Sequence, residues 1–215
     1  MNVLRDNFGT IVDGFRETIV LTLLSAAIAL LVGIVLAAMR VSPAPPLRWA
    51  GTAYVTIFRN TPLLLLFVLF VFGLPTVGVH ASFFLRAVIA LSTYTAAFVC
   101  EAVRSGINTV QPGQAEAARA IGLTFSQTLR FVVLPQALRA AIPPIGSLLI
   151  ALTRNSSVAE AFGTKEATYV LDSLGRDHAS ALYWIFGGIA LGYVILSLAI
   201  AGGFRLLERS MAVAR

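Results

Sequence analysis

The side chains that could do chemistry in this sequence are charged residues inside long apolar stretches, where ionisable groups are costly and tend to mark ion pairs or transport pathways. Arg59 and Glu101 belong to two such stretches that we expect to run in opposite directions, at about the same depth. An ion pair between them is therefore feasible and would relieve both desolvation costs. The alternative for Arg59 is a side chain that extends to the lipid headgroups. Asn60 and Thr61 add polar groups at the same place.

A second polar cluster begins at Arg154. It continues with Asn155, Ser156 and Ser157. A polar cluster beside a broken helix is a typical place for a transporter to hold its solute. If the preceding helix begins only after Pro143 and Pro144, Arg154 lies about 16 Å into it, in the middle of the membrane. If that helix begins near Leu138, Arg154 lies closer to the outer surface, and a surface anchor is the alternative.

The stretches around these residues are long enough to cross a bilayer. The chain has 215 residues, of which 58% are hydrophobic and 12% are charged, and its mean hydropathy is +0.85. Thr18–Met39, Asn60–Leu85 and His178–Phe204 carry no charged residue and exceed the about 20 residues that one span needs. Ala87–Cys100 and Ala140–Thr153 are shorter uncharged runs. We predict a single all-α membrane domain, residues 1–215, with five spans at about 18–39, 53–74, 83–103, 138–153 and 181–204.

The distribution of Lys and Arg predicts the orientation of these spans, because cytoplasmic loops carry the excess of cations. Nine cations lie on one side: Arg40, Arg48, Arg104, Arg119, Arg130, Arg139, Arg205, Arg209 and Arg215. Four lie on the other side: Arg5, Arg16, Lys165 and Arg176. We therefore expect the N-terminus outside and the C-terminus in the cytoplasm. The net charge of +6 reflects this bias, and the sequence offers no basic soluble face for nucleic acid.

One predicted cytoplasmic loop, about residues 105–137, carries an ordered pattern. Pro112 suits the first turn of a helix, and Gln114–Ile121 consists mostly of strong helix formers. Gly122 can end that helix in a left-handed cap, and Ser126 is expected to cap a second helical stretch. The sequence thus predicts a short helix, a sharp corner and a second helix at the membrane surface. An ordinary amphipathic interfacial helix is the alternative.

The same loop resembles the EAA loop of ABC-importer permeases, in which E-A-A is followed by three residues and G, then by nine residues and I-x-L-P. Glu116-Ala117-Ala118, Gly122 and Val132-Val133-Leu134-Pro135 keep this spacing, with Val for the usual Ile. The resemblance implies a type I ABC-importer permease fold and a coupling helix that docks on a separate ATPase subunit. The residues implied in coupling are Glu116, Ala117, Ala118, Arg119, Gly122, Leu134 and Pro135. The small alanines would allow close approach, and Glu116 and Arg119 could pair across the contact.

A narrower resemblance covers nearly the whole chain. Phe58-Arg59-Asn60-Thr61-Pro62-Leu63 is similar to the F-R-x-T-P-L box of polar amino-acid permeases, and Arg104-Ser105-Gly106-Ile107 continues the likeness. The amino-acid sequence of these segments is most similar to that of actinobacterial glutamate permease subunits. Arg154-Asn155 departs from the family's usual K-D. The loss of that carboxylate leaves Arg154 free to meet an anion, which favours glutamate, with glutamine or aspartate next.

The resemblance also implies partners. These are a pair of cytoplasmic ATPase subunits that bind ATP and Mg, a second permease subunit in a homo- or heterodimer, and an external substrate-binding protein. The chain itself has no P-loop, and its sequence suggests no catalytic constellation, cofactor or metal site. We therefore expect a multi-pass permease of a bacterial cytoplasmic membrane, working by alternating access, and not an enzyme.

Three rival hypotheses remain at this point. A permease of the same superfamily could carry another small solute, such as a basic amino acid. A passive channel would need no ATPase and would leave the EAA pattern without explanation. An intramembrane enzyme would need a catalytic constellation that the sequence does not suggest.

Overall fold

The computed structural model describes residues 2–211, which form helices and no strand, and the predicted all-α class is confirmed. The helices are α1 Asn2–Asp6, α2 Phe8–Val41, α3 Pro45–Asn60, α4 Leu63–Thr76, α5 Phe83–Asn108, α6 Pro112–Ala120, α7 Phe125–Phe162, α8 Ala167–Asp177 and α9 Ala179–Met211. Helices α2, α5, α7 and α9 are long and apolar enough to cross a membrane, and α3 with α4 makes a fifth crossing if the pair is one span. Arg215 lies outside the described residues.

The core is built on α5, which packs against α2 and α7. Close contact between α2 and α5 requires Gly33, because a Cβ there would lie 2.5 Å from Cγ1 of Val99. One cluster of buried residues includes Leu21, Phe67, Leu91 and Leu152. A second cluster, nearer the other end of the bundle, includes Ala29, Leu36, Val55, Ala96 and Cys100. The two clusters thus follow one another along α5.

The second predicted span is not one straight helix. Helices α3 and α4 meet at an angle of 106°. Thr61 and Pro62 adopt extended backbone angles between them, with ψ of 127° and 136°. The physical reason is Pro62, which has no N–H to donate and whose ring drives the preceding residue out of the helical region. The side chains of Asn60 and Thr61 donate to the carbonyls of Thr56 and Ile57, at 2.7 and 2.8 Å, and so cap the broken end.

Helix α4, the second half of this broken span, is held to α5 through its backbone. Leu69–Gly73 forms a single π-helical turn within α4, a departure that frees carbonyl groups from the regular ladder. The guanidinium of Arg86 donates to the carbonyl of Val71 at 2.5 Å and to that of Ala81 at 2.9 Å. Arg86 therefore satisfies backbone groups instead of facing lipid.

The fourth predicted span belongs to a longer helix that begins in the loop. Helix α7 begins at Phe125 and passes through Pro143 and Pro144 without a break. Interior prolines remove hydrogen bonds, but neighbouring helices support them in a membrane bundle. Of the two starting points considered for this helix, the one after Pro143-Pro144 is wrong. Arg154 therefore lies at the penultimate position of the α-helical segment Leu134–Asn155, and not in its middle.

Candidate functional site

The loop between α5 and α7 forms the predicted corner. Helix α6 ends at Ala120, and Gly122 follows with φ of +91°. The N–H of Gly122 donates to Arg119, and that of Leu123 donates to Ala118, at 3.0 and 3.1 Å. This is a Schellman motif, which requires a left-handed residue at the position of Gly122. The chain thereby turns sharply between two helices.

The second helix of the corner begins two residues earlier than expected, because its cap is a different residue. Thr124, and not Ser126, is the N-cap residue: its hydroxyl accepts from the N–H of Gln127, whose side chain accepts from the N–H of Thr124. This reciprocal arrangement is a capping box. The sequence T-x-x-Q carried that signal. Both ends of the corner are thus fixed by hydrogen bonds to backbone groups.

The corner presents an apolar tip beside charged side chains. Ile121 and Phe125 are 81% and 75% exposed, and Glu116, Ala117 and Arg119 are also exposed. Ala118 is buried instead, because its small side chain packs within this chain. Leu134 and Pro135 follow a π-helical turn, Leu129–Val133, early in α7.

The break between α3 and α4 brings polar groups to the middle of the bundle. Arg59 lies above the ring of Phe98, with 5.9 Å from its guanidinium carbon to the ring centroid, and Leu63 packs on the cluster that includes Leu91. Phe98 and Leu91 flank the midpoint of α5, so the break lies at mid-height of the bundle. Arg59 and Asn60 are exposed there and Thr61 is partly exposed. Broken helices at this depth are where transporters expose backbone and polar groups to a solute.

Glu101 is the centre of a cluster of arginines. The predicted pair with Arg59 is present but long, at 3.8 Å between Nη1 and Oε1. Arg40 lies at 2.5 Å and Arg104 at 3.0 Å from the same carboxylate. The sequence interpretation missed Arg40, which it had counted only as a loop cation. One carboxylate is therefore shared by three guanidinium groups.

The Arg154 cluster lies elsewhere, at the C-terminal end of the α-helical segment Leu134–Asn155 of α7. Arg154 and Ser157 line a cavity of about 290 Å³ together with Thr168 of α8 and Tyr193 of α9. Ser156 is buried and donates to the carbonyl of Thr153, and Asn155 is partly exposed. No ion pair within residues 2–211 involves Arg154. The two groups of predicted solute contacts, around Arg59 and around Arg154, thus occupy different places in the bundle.

A buried carboxylate beside this cavity was also missed. Glu166 lies in the connection between α7 and α8, yet its side chain is fully buried. Its carboxylate accepts from Thr18, from Tyr193 and from the backbone N–H groups of Thr168 and Tyr169. Burial raises the pKa of Glu166 above its usual range, and the hydrogen bonds oppose that rise. Glu166 caps α8 and ties it to α2 and α9.

Comparison with known proteins gives concordant results. Residues 29–213 match the family model described as binding-protein-dependent transport system inner membrane component. The chain is 44% identical over 216 residues, 95% of each chain, to the glutamate transport system permease protein GluC of Corynebacterium efficiens. It is 37% identical to the probable glutamine ABC transporter permease protein GlnM of Bacillus subtilis, with coverage of 98% of this chain and 97% of that one.

Two solved structures of ABC transporters match the fold of this chain. A structure titled as an amino acid ABC transporter with histidines matches with a TM-score of 0.89 and 29% identity, covering 96% of each chain. The MetNI methionine ABC transporter, in an inward-facing conformation, matches with a TM-score of 0.77 and 25% identity, covering 96% of this chain and 98% of that one.

Proposed function

The chain belongs to the family of binding-protein-dependent transport system inner membrane components, and we propose that it carries an acidic amino acid, glutamate first, with its neutral amide relative glutamine or aspartate next. It is the permease subunit of an amino-acid ABC importer, a transport component and not an enzyme. The relatives named for glutamate and glutamine support this choice of solute.

One structural observation carries the proposal of an anionic solute. Arg154 is exposed, lines a cavity with hydroxyl groups around it and forms no ion pair within residues 2–211. Its polar contact within the described chain is a long one, 3.5 Å to the carbonyl of Ile150. A guanidinium in this state can hold a carboxylate through two parallel hydrogen bonds. A cationic solute would meet a like charge at the same place.

The broken helix supplies the second part of the path. A solute that enters near Arg154 must pass the middle of the membrane, where Arg59, Asn60 and Thr61 are accessible at the α3–α4 break. The path therefore presents a guanidinium at Arg154 and a second one at Arg59.

Helix α7 connects this path to the coupling corner. It extends without interruption from Phe125, at the corner, to Arg154, over about 44 Å at 1.5 Å per residue. A displacement of the corner would therefore move the Arg154 end of the same helix. In this mechanism an ATPase subunit docks on Ile121, Phe125 and the charged side chains beside them, and its movement drives alternating access.

The remaining parts of the assembly follow from the same mechanism. The N-terminus lies outside and the corner lies in the cytoplasm, in a bacterial cytoplasmic membrane. A pair of ATPase subunits binds ATP and Mg, a second permease subunit, identical or not, completes the path, and an external binding protein delivers the solute. A permease for basic amino acids and a passive channel are the alternatives.

The experiment measures glutamate uptake by the reconstituted importer with the variants Arg154→Gln and Arg154→Lys, after assembly with the ATPase subunit has been checked. We expect Gln to lower the apparent affinity for glutamate about tenfold to a hundredfold and Lys to retain part of it. Arg176→Gln, an exposed change on the same side, is the control. Wild-type kinetics in Arg154→Gln, or a wild-type preference for lysine or arginine, would contradict the proposal. An importer active without any ATPase subunit would indicate a channel.

A further inference from the structure

A cavity of about 640 Å³ lies at the inner end of the bundle, away from the Arg154 site. Its walls come from the C-terminal ends of α2 and α5 and from most of the length of α3. Arg40, Arg48 and Arg104 line one part of it, and Thr52 and Thr56 add hydroxyl groups. A second part of the wall is apolar: Trp49, Ala53 and Ile57. The cavity thus combines a cationic and a hydrophobic surface.

The cationic part is not neutralised within the described chain. Arg40 and Arg104 share the single carboxylate of Glu101, which Arg59 also approaches. Arg48 donates only to the carbonyls of Ser42 and Pro43, at 3.3 and 3.2 Å. The three arginines that line the cavity therefore exceed the nearby acidic charge by two. Such an excess favours an anion with several acceptor oxygens.

The apolar part indicates an amphiphilic ligand. Trp49 is 77% exposed, and Ala53 and Ile57 extend from it along the exposed face of α3. Tryptophan is enriched where a membrane protein meets the headgroup region, and a neighbouring apolar strip can lie against acyl chains. A small polar solute would gain nothing from this strip, because it has no hydrocarbon to place there.

We propose that this cavity binds the headgroup of an anionic phospholipid, with the phosphate among Arg40, Arg48 and Arg104 and the acyl chains along Ile57. Basic pockets between helices on the cytoplasmic side are suited to such headgroups. The leaflet follows from the proposed orientation of the chain, but binding itself does not depend on that orientation. Bound lipid would brace the turn between α2 and α3, next to the Glu101 cluster.

The test uses the two tryptophans of the chain, Trp49 and Trp184. In the full chain carrying Trp184→Phe, Trp49 alone reports on the cavity. The protein is reconstituted in vesicles that contain either brominated phosphatidylglycerol or brominated phosphatidylcholine at equal mole fraction. We expect the relative binding constant from quenching to favour phosphatidylglycerol at least fivefold, the contribution of about one arginine near a membrane surface.

Two variants distinguish a specific lipid site from non-specific electrostatic attraction between the protein and anionic lipid. Arg48→Gln removes one guanidinium, and Thr52→Glu places a carboxylate in the wall while keeping every arginine. Each should lower the preference about fivefold. Arg209→Gln, an exposed change in α9 on the same side, should leave it unchanged. If both variants fold poorly, retention of phosphatidylglycerol by the wild-type importer in native mass spectra, compared with phosphatidylcholine, decides the question.

Three outcomes would overturn the proposal. Equal quenching by the two lipids would mean that the cavity does not select an anionic headgroup. An equal loss of preference in Arg209→Gln would assign the effect to overall charge. Displacement of the lipid by free glutamate would make the cavity part of the solute path. None of these measurements involves transport, so a failure here is distinct from a failure of the proposed function.

Discussion

The hydroxyl of Tyr193, in α9, donates a hydrogen bond of 2.5 Å to the buried carboxylate of Glu166, the N-cap residue of α8. Thr18 of α2 donates to the same oxygen at 3.1 Å. Three helices that are far apart in the sequence are thus joined at one side chain. Tyr193 and Thr168 donate hydrogen bonds to Glu166 and also line the cavity that contains Arg154, so the junction lies beside that cavity. The geometry of the proposed entry site therefore depends on Glu166.

The stability of the protein should depend on pH through Glu166. Its pKa is raised in the folded state, so the folded protein holds this proton more tightly than the unfolded chain does. The resulting stabilisation is fully present below the usual glutamate pKa of about 4.3 and is lost as pH rises through the folded-state pKa. We expect the midpoint of thermal unfolding, measured relative to Glu166→Gln, to fall as pH increases. A difference in unfolding midpoint between the wild type and Glu166→Gln that stays constant with pH would contradict the raised pKa of Glu166.

The Glu101 cluster should be dominated by Arg40. Arg40 lies at 2.5 Å from Glu101 and is mostly buried, whereas Arg59 lies at 3.8 Å and is half exposed. In double-mutant cycles with Glu101→Gln, we expect a coupling energy of about 1.5–3 kcal/mol for Arg40→Gln. The corresponding value for Arg59→Gln should stay below about 1 kcal/mol. Unfolding of the purified chain in detergent measures both. A larger coupling energy for Arg59 than for Arg40 would contradict this expectation and make Arg59 the main partner of Glu101.

The sequence predicted those features whose cause is local. Length and hydropathy indicated the spans, and Gly122 indicated a left-handed cap because no neighbouring segment is needed to make one. The bend at Thr61-Pro62 was also signalled locally, by a proline and the residue before it. It was overlooked because the apolar run continues through it, and hydropathy does not report helix direction.

The partners of Arg40 and Glu166 could not be predicted in the same way. Arg40 directly follows an apolar stretch and Glu166 lies in a polar connection between two of them, and in both places a charge normally faces water or headgroups. Only the packing of α2 against α5 brings Arg40 to Glu101, and only the approach of α8 to α2 and α9 buries Glu166. Likewise, Pro143 and Pro144 predicted a helix boundary, but tertiary support from neighbouring helices overrides this preference in α7.

The proposed orientation can be checked by labelling. Single cysteines at Gln114 and at Lys165, in a Cys100→Ala background, should react from opposite sides with a membrane-impermeant thiol reagent. Both positions are exposed. The exposed Gln127 in the same loop is not used, because its side chain forms the capping box. We expect Lys165→Cys to react in intact cells and Gln114→Cys only after permeabilisation. Reaction of both in intact cells would rule out the five-span topology.

The coupling corner offers the most direct test of the link between ATP hydrolysis and transport. Gly122 has φ of +91°, a conformation that costs a β-branched residue about 1–3 kcal/mol in local strain. Gly122→Val should therefore distort the corner, and we expect the assembled importer to hydrolyse ATP with little glutamate uptake. Gly122→Asn, which tolerates this region better, should show a smaller loss. Gly113→Ala, in the helix α6 that precedes the corner and with open space around the added methyl group, is the matched control. Unchanged uptake in Gly122→Val, with normal membrane insertion, would remove the main support for this helix as the ATPase contact, because the sharp turn would then be dispensable.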